Sequence, residues 1–288
     1  MRLRSLLFVP GDRPDRFAKA AASGADALIL DLEDSVAPER KQLARSAVRE
    51  WLEMPNRPVS FVRINPLGSD HIEVDLRRVL DTRPDGIVLP KAEGDASIRR
   101  LPKIAARALP PILPIASETP SAIFELGTYR TVAAQLAGLT WGAEDLPAAI
   151  GANSAREEDG SYTAPYEMVR SLTLFAAHAA GLPAIETVFP RIDAPEALAA
   201  YVGRARRDGF TGMMAIHPAQ VEIINAGFSP SEDEIAWARS VVEAFAAAPG
   251  IGALKLAGKM VDRPHLIQAR RVLALTVEDT HRRRKPSA

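Results

Sequence analysis

The chain has 288 residues, 47% of them hydrophobic and 25% charged, an ordinary globular composition long enough to bury a full core. Its 36 basic residues balance its 36 acidic ones and there is no cysteine. Disulfides, zinc–thiolate sites, iron–sulfur clusters and cysteine nucleophiles are thereby excluded, and bulk-charge binding to nucleic acid or a membrane surface is disfavoured. No apolar run approaches the length of a membrane span, so the expectation is a soluble cytoplasmic protein.

Short apolar runs alternate with longer helical patterns. A first strand is expected over residues 3–9 and a helix over 15–23. A strand over 27–32 precedes a helix over 38–52, and a strand over 59–64 precedes a helix over 72–80. The fourth unit pairs a strand over 86–90 with a helix over 96–108; the fifth pairs 112–116 with a short helix over 122–126. A sixth strand over 136–141 leads to a short helix near Leu146 and a long one over 166–180. The seventh covers 184–186, with a helix over 195–208, and the eighth covers 212–216, with a helix after Pro218. These runs are mostly continuous apolar stretches, as in parallel strands buried on both faces. Eight strand–helix units in roughly 250 residues predict a (β/α)8 barrel. An open doubly wound sheet would usually carry a glycine-rich fingerprint after its first strand, and Gly11-Asp12-Arg13-Pro14 is not one.

The barrel is expected over residues 1–228 and a C-terminal helical extension over 229–288. The extension holds a helix over 232–248, a turn at Pro249-Gly250-Ile251-Gly252, a segment over 259–264 and a helix from His265 to about Glu278. A barrel closes without it, so it is expected to pack on a neighbouring subunit or cover the site. The basic tail at 281–285 reads as a solvated, frayed helix end.

In such a barrel the chemistry sits at the C-terminal ends of the strands. The polar residues there are Asp31, Glu33 and Asp34, then Arg63 and Asn65, Lys91, Ser117 and Glu118, Glu144 and Asp145, Glu186, and His217. Buried carboxylates persist only when paired, hydrogen-bonded or metal-bound, so their convergence from several strands suggests a hard divalent cation. Each residue also has a structural alternative. Asp145 can cap the helix at Leu146, Thr119 the helix after strand five, and Asp34 or Ser35 the helix at Pro38. Asp31 and Glu33, two residues apart, can face one side and pair with Lys91 or Arg63. Arg63 closes an apolar run and needs an anionic partner, either protein or substrate. His217 reads as a loop hydrogen-bonder or a base. Gly11-Asp12-Arg13, with Arg16 and Lys19, reads as a plain turn or a phosphate contact.

Leu7-Phe8-Val9-Pro10-Gly11-Asp12-Arg13-Pro14 resembles the opening of the citrate lyase beta-subunit-like proteins. This is the citryl-, citramalyl- and malyl-CoA lyase branch of the HpcH/HpaI aldolase superfamily. The likeness continues through Leu30-Asp31-Leu32-Glu33-Asp34-Ser35-Val36, Val62-Arg63-Ile64-Asn65, Leu89-Pro90-Lys91 and Glu118-Thr119-Pro120. It runs on through Gly142-Ala143-Glu144-Asp145-Leu146, Ala215-Ile216-His217-Pro218-Ala219-Gln220 and Gly258-Lys259-Met260-Val261-Asp262. Each motif alone is weak; the ordered set is specific for the family and much less so for the substrate.

The resemblance implies that Glu118 and Asp145 are the two protein ligands of a Mg2+ ion. It implies that Arg63 contacts the carbonyl and carboxylate oxygens of the substrate. Asp262 is implied as an acid/base that arrives with the C-terminal segment of a neighbouring subunit, in a homotrimer or hexamer. Asp31, Glu33 and Lys91 are implied as supporting residues around the metal, Glu33 on the catalytic side and Lys91 on the substrate side. One departure is Ala257, where relatives often carry an acidic or polar residue. The stretch 30–36 also lacks the histidine used near strand two by the related class II hydroxy-dicarboxylate aldolases. The implied activity is reversible, Mg2+-dependent cleavage of a 3-hydroxyacyl thioester, on CoA or an acyl-carrier protein, into a 2-oxo acid and an acyl thioester. Hydrolysis of a malyl-type thioester at the same site, and a non-catalytic subunit of a larger lyase complex, are the alternatives. Asp262 could instead cap the helix that begins near Pro264.

Overall fold

The computed structural model of the protein describes residues 2–283, with side chains through residue 276. Of the basic tail, Arg284 and Lys285 and the side chains of 281–283 lie outside the described residues. The first half runs β1 (Ser5–Pro10), α1 (Phe17–Ala21), β2 (Ala27–Asp31), α2 (Lys41–Glu53), β3 (Ser60–Arg63), α3 (Ile72–Leu80), β4 (Gly86–Leu89) and α4 (Gly94–Ala105). It continues with β5 (Ile112–Pro114), α5 (Pro120–Glu125), β6 (Leu139–Thr140), α6 (Leu146–Ile150) and α7 (Ala164–Ala179). The last repeats are β7 (Ala184–Glu186), α8 (Pro195–Asp208), β8 (Gly212–Ala215) and α9 (Pro218–Gly227). The strands pair in parallel in the order β5-β4-β3-β2-β1-β8-β7-β6. Bridges between Ile112 and Leu136 and between Ile115 and Thr140 close the ring. The Ala116 N–H donates across this closure to the Thr140 carbonyl at 2.8 Å. The result is the (β/α)8 barrel that the strand–helix rhythm predicts.

Alternation along the strands divides the apolar residues into two cores. Leu6, Ala27, Ile29, Phe61, Val88, Leu113, Ile115, Ile185 and Met214 pack together inside the barrel. Their chain neighbours Leu7, Leu28, Leu30, Val62, Ile87, Leu89, Ile112, Met213 and Ala215 join the outer core under the helices. Both faces are therefore apolar, which is why the sequence shows continuous runs instead of alternation.

Beyond small shifts at element ends, three differences from the sequence reading stand out. The sixth strand is only Leu139–Thr140, because the chain before it, Leu126–Gln135, winds in 3-10 turns that end at Leu136. The fourth helix starts two residues early, at Gly94, and stops at Ala105, where Ala106 turns left-handed at φ 51°. The third difference lies in the C-terminal segment.

By contact, the chain divides into two compact units, Leu3–Phe228 and Ser229 onward. The second contains α10 (Glu232–Ala247), β9 (Ala253–Leu256), β10 (Lys259–Asp262) and α11 (Arg263–Arg283). Ser231 and Glu234 form a reciprocal capping box that starts α10. Ala238, Val241 and Ala269 form this unit's own small core, with Leu256 packed against it. The sequence reading expected helices here; between them stands an antiparallel hairpin in which Lys259 pairs with Leu256. Ala257 and Gly258 make its two-residue turn with φ 48° and 80°. Positive φ at both positions is the mirror-image turn that suits hairpin twist, and it usually carries Asn, Asp or Gly at the first position. Alanine there conceals the turn in the sequence. Among the described residues no helix is long and apolar enough to cross a membrane.

Candidate active site

The inward-facing positions of the strands continue past their C-terminal ends, and so they set the wall of the barrel mouth. Phe8 leads to Pro10, Ile29 to Asp31, Phe61 to Arg63, Thr140 to Gly142, Ile185 to Thr187 and Met214 to Ile216. All of these except Ile29, Phe61, Thr140 and Ile185 line a cavity of about 330 Å³, together with Glu118, Glu144 and Asp145.

Arg63 faces Asp31 as a two-pronged pair, with Nε and Nη2 each donating at 2.7 Å. Its third nitrogen, Nη1, lies 3.0 Å from Glu33 Oε2, and the guanidinium carbon sits 4.8 Å above the Phe8 ring. Asp31 also accepts from the Ser35 hydroxyl and from the Glu33 N–H at 2.9 Å. Burial alone would raise the Asp31 carboxyl, but the Arg63 bonds and charge, with the Ser35 hydroxyl, hold it below its ordinary value. Burial works against the Arg63 charge as well, and Asp31 and Glu33 outweigh it, so the guanidinium is pushed upward. Glu33 is raised, chiefly by burial.

Lys91 ties the second half of the site together. Its Nζ is 2.8 Å from Glu33 Oε1 and 3.2 Å from Asp145 Oδ1. Its backbone N–H donates to Glu118 Oε2 at 2.6 Å. This is done from a left-handed backbone, φ 50°, a strained conformation for a residue with a Cβ. Burial would lower the ammonium, yet Glu33, with Glu118 and Asp145 behind it, holds it above the ordinary lysine range. Glu118 is pushed up to about 8, first by burial and then by the charges of Asp145 and Glu33. Gly142 gives this carboxylate its room: a Cβ there would stand 2.7 Å from Glu118 Cγ.

The structure thus brings Asp31, Glu33, Arg63, Lys91, Glu118 and Asp145 into one cluster. Asp262 lies in the second unit, half exposed, with His265 Nδ1 2.6 Å from its Oδ1; the histidine holds its carboxyl low by hydrogen bonding. The capping alternatives resolve separately. Thr119 does cap its helix, accepting from the Ala122 N–H at 3.2 Å. His217 caps α9 through Nδ1 and the Ala219 N–H at 3.2 Å, the role of a loop hydrogen-bonder. Asp145 makes no side-chain cap bond on α6 and turns to Lys91. Asp34 and Ser35 do not cap either; Ala37 stands at that helix start.

Glu186 is not in the mouth. It occupies an outward position on β7 and is fully buried beneath α7, where Arg170 Nε (2.7 Å), Trp141 Nε1 (2.5 Å) and the Thr187 N–H (2.9 Å) all donate to it. The sequence reading also missed a buried polar network behind the β2–α2 turn, made by Lys41, Arg45, Asn65 and Asp75. Its signal was available: Lys41 and Arg45 are charges one helical turn apart, on the same face as Ala44 and Val48.

Asp31 is held by Arg63 and Glu33 by Lys91, whereas Glu118 and Asp145 border the open cavity, where their ionised forms can offer two charges to a divalent cation. Among the described residues no three His, Asp or Glu side chains converge as a ready-made cage. The donor set is two carboxylates with open space beside them, which fits Mg2+, an ion that keeps several non-protein ligands.

Fold and mouth together define a (β/α)8 barrel with a carboxylate-rich site suited to a hard cation. The chain belongs to the HpcH/HpaI aldolase/citrate lyase family, whose model matches residues 4–218. A citrate lyase subunit beta-like protein of Mycobacterium tuberculosis is 38% identical over 280 residues, 95% of this chain and 96% of that one. A (3S)-malyl-CoA thioesterase of Cereibacter sphaeroides is 33% identical over 276 residues, 94% of this chain and 93% of that one. The structure of CitE from M. tuberculosis in complex with magnesium, acetoacetate and coenzyme A superposes with a TM-score of 0.82 at 37% identity, covering 95% of this chain and 97% of that one. The same protein with magnesium and pyruvate gives 0.74 at 34% identity, covering 94% and 98%.

Proposed function

We propose that the protein is a Mg2+-dependent carbon–carbon lyase that cleaves, reversibly, a 3-hydroxyacyl thioester of the citryl, citramalyl or malyl type into a 2-oxo acid and an acyl thioester. The observation that carries this reading is Glu118, a buried carboxylate with a single hydrogen-bond donor among the described residues and a raised affinity for protons. It lines the same cavity as Asp145 and Arg63. The complexes of M. tuberculosis CitE with magnesium and acetoacetate or pyruvate support Mg2+ as the ion; Glu118 and Asp145 are the ligands we assign to it here.

Glu118 and Asp145 would hold the Mg2+, which when bound would supply Lewis acidity and a template for the 2-oxo acid. The bond that breaks joins the hydroxyl-bearing carbon to the α carbon of the thioester. The hydroxyl gives its proton to solvent as its carbon becomes the carbonyl of the 2-oxo acid, and the electron pair stays with the thioester as an enolate. Arg63, fixed by Asp31, presents Nη1 to the oxygen on which charge develops. Glu33 holds Arg63 and Lys91 in place, and Lys91 adds a positive charge on the substrate side. A proton must then reach the enolate carbon. That acid is assigned to Asp262 of a neighbouring copy in a trimer or hexamer. The thioester carrier is CoA or an acyl-carrier protein.

A second reading, hydrolysis of a malyl-type thioester at the same site, is favoured by the relatives named (3S)-malyl-CoA thioesterase. One experiment separates them. The protein is incubated with Mg2+ and either a panel of 2-oxo acids with acetyl- or propionyl-CoA, or a malyl-, citramalyl- or citryl-CoA thioester alone, and products are read by mass spectrometry. A condensed 3-hydroxyacyl-CoA supports the lyase. Free CoA with an intact hydroxy acid supports the thioesterase. No product from any pair or thioester overturns both and leaves a non-catalytic subunit.

A further inference from the structure

Lys41 begins α2 and is 7% exposed. Its ammonium donates to the Leu32 carbonyl at 2.7 Å, the Glu33 carbonyl at 2.8 Å and Asn65 Oδ1 at 3.0 Å. Among the described residues no carboxylate oxygen lies within ion-pair distance of it. Three donors are spent on three neutral acceptors, two of them successive carbonyls of the turn that leaves β2.

That turn needs such a partner. The ladder with β3 ends where the Leu32 N–H donates to the Arg63 carbonyl at 2.9 Å. Beyond it the peptide groups have left the sheet and have not entered a helix, and buried backbone groups must be satisfied by something. The Glu33 N–H goes to Asp31 Oδ1, and the Glu33 carbonyl goes to Lys41 and to the Val36 N–H at 3.0 Å. With both sides of the residue fixed, its Cα–Cβ bond is aimed, and its carboxylate meets Arg63 Nη1 and Lys91 Nζ. Asn65 braces the arrangement, donating to the Leu32 carbonyl at 2.9 Å and to Asp75 Oδ2 at 2.6 Å. Arg45, one turn along α2, holds the other oxygen of Asp75 at 2.6 Å. Donating from one atom in three directions suits a tetrahedral ammonium and does not suit a planar amide or guanidinium.

We infer that Lys41 is a positioning residue of the active site: it shapes the β2–α2 turn so that Glu33 meets Arg63 and Lys91. The inference rests on the mouth being the reaction site, and its test has one readout that does not. Hydrogen exchange of the full-length Lys41→Met protein, read by mass spectrometry, is expected to quicken roughly tenfold or more over residues 33–36 while β4 and β8 keep their rates. Unchanged exchange there, or equal acceleration throughout the barrel, overturns the inference whether or not the protein is active. In the active enzyme, kcat of Lys41→Met is expected to fall roughly tenfold with KM nearly unchanged. Added to Glu33→Gln, the substitution should cost nothing more, because it acts through Glu33. Independent, multiplying losses would overturn it. An inert wild-type enzyme sinks the functional reading, and the exchange result still decides Lys41. If Lys41→Met does not fold, Lys41→Arg is expected to loosen the same four residues; a wild-type exchange pattern in that variant counts against the inference.

Discussion

Glu118 and Glu186 are both glutamates at the ends of barrel strands, buried to 4% and 0% exposure, and they live in opposite surroundings. Glu186 points outward beneath α7 and is closed on every side by Arg170, Trp141 and the Thr187 N–H. Glu118 points into the mouth with one N–H donor, from Lys91, and with two other carboxylates raising its proton affinity. A buried carboxylate that carries its own guanidinium is a piece of architecture. One left short of positive charge is a place for a ligand that brings some. Burial alone does not distinguish the two; the count of compensating donors does.

The largest expected effects exchange these roles. Glu186→Ala removes the shared acceptor of Arg170 Nε, Trp141 Nε1 and the Thr187 N–H, while Arg170 Nη1 keeps Asp208 at 2.7 Å; it should destabilise the fold by about 1–3 kcal/mol in thermal or urea unfolding, the cost of buried donors left without an acceptor. Glu118→Ala should instead weaken Mg2+ binding sharply in calorimetric titration and leave the melting of the metal-free protein unchanged or higher. Wild-type Mg2+ affinity in Glu118→Ala would dissolve the contrast.

Next comes Arg63. Lysine in its place keeps the charge and loses the fork that meets Asp31. Lyase turnover of Arg63→Lys should fall by at least roughly tenfold, toward the roughly 3 kcal/mol typical of a lost charge-stabilising donor, with Mg2+ affinity retained. Full turnover would make Arg63 a salt bridge of the Glu186 kind.

The pH dependence of Glu118 sharpens the comparison further. Its folded value, about 8, lies above the ordinary 4.5, so folding favours the neutral form. The associated stability is full below about 4.5 and is lost as pH rises through about 8. Metal-free protein should therefore melt lower at pH 9 than at pH 6, and Glu118→Gln should flatten that difference. Metal binding must displace the proton, so Mg2+ affinity should strengthen up to about tenfold per pH unit until the carboxyl is ionised, then level off. Titrations in buffers of different ionisation heat would show the released proton; equal heats would contradict the raised value.

The smallest effect belongs to Glu144, the neighbour of Asp145 on the loop after β6. It is 59% exposed and 4.0 Å from Arg156, and solvent screens it. Glu144→Gln should shift stability by no more than about 0.5 kcal/mol and leave Mg2+ affinity nearly unchanged. A large loss would mean that exposure is not what separates these carboxylates.

Much of this was legible in the amino-acid order. Eight apolar runs announced the barrel because both faces of each strand are covered. The ordered motifs announced the family and gathered six residues, Asp31, Glu33, Arg63, Lys91, Glu118 and Asp145, that do meet. Glu186 was grouped with them because proximity to a strand end was read without its parity; one step along β7 separates the inward Thr187 from the outward Glu186. The buried network of Lys41, Arg45, Asn65 and Asp75 escaped because it joins three elements, and only its two α2 members share a local pattern. The β9–β10 hairpin escaped because alanine stands at a turn position that normally advertises itself with Asn, Asp or Gly.

The closure of the ring between β5 and β6 has a mechanical side. β1 and β2 are stitched by five register pairs. At β5 and β6 only two isolated bridges join the strands, and β6 itself is two residues long. The ring is closed here by short stitching, with Glu118 following one side of the seam and Asp145 the other. The spacing of the two carboxylates therefore depends on a junction without a long ladder. An ion held by both would act as a clasp across it.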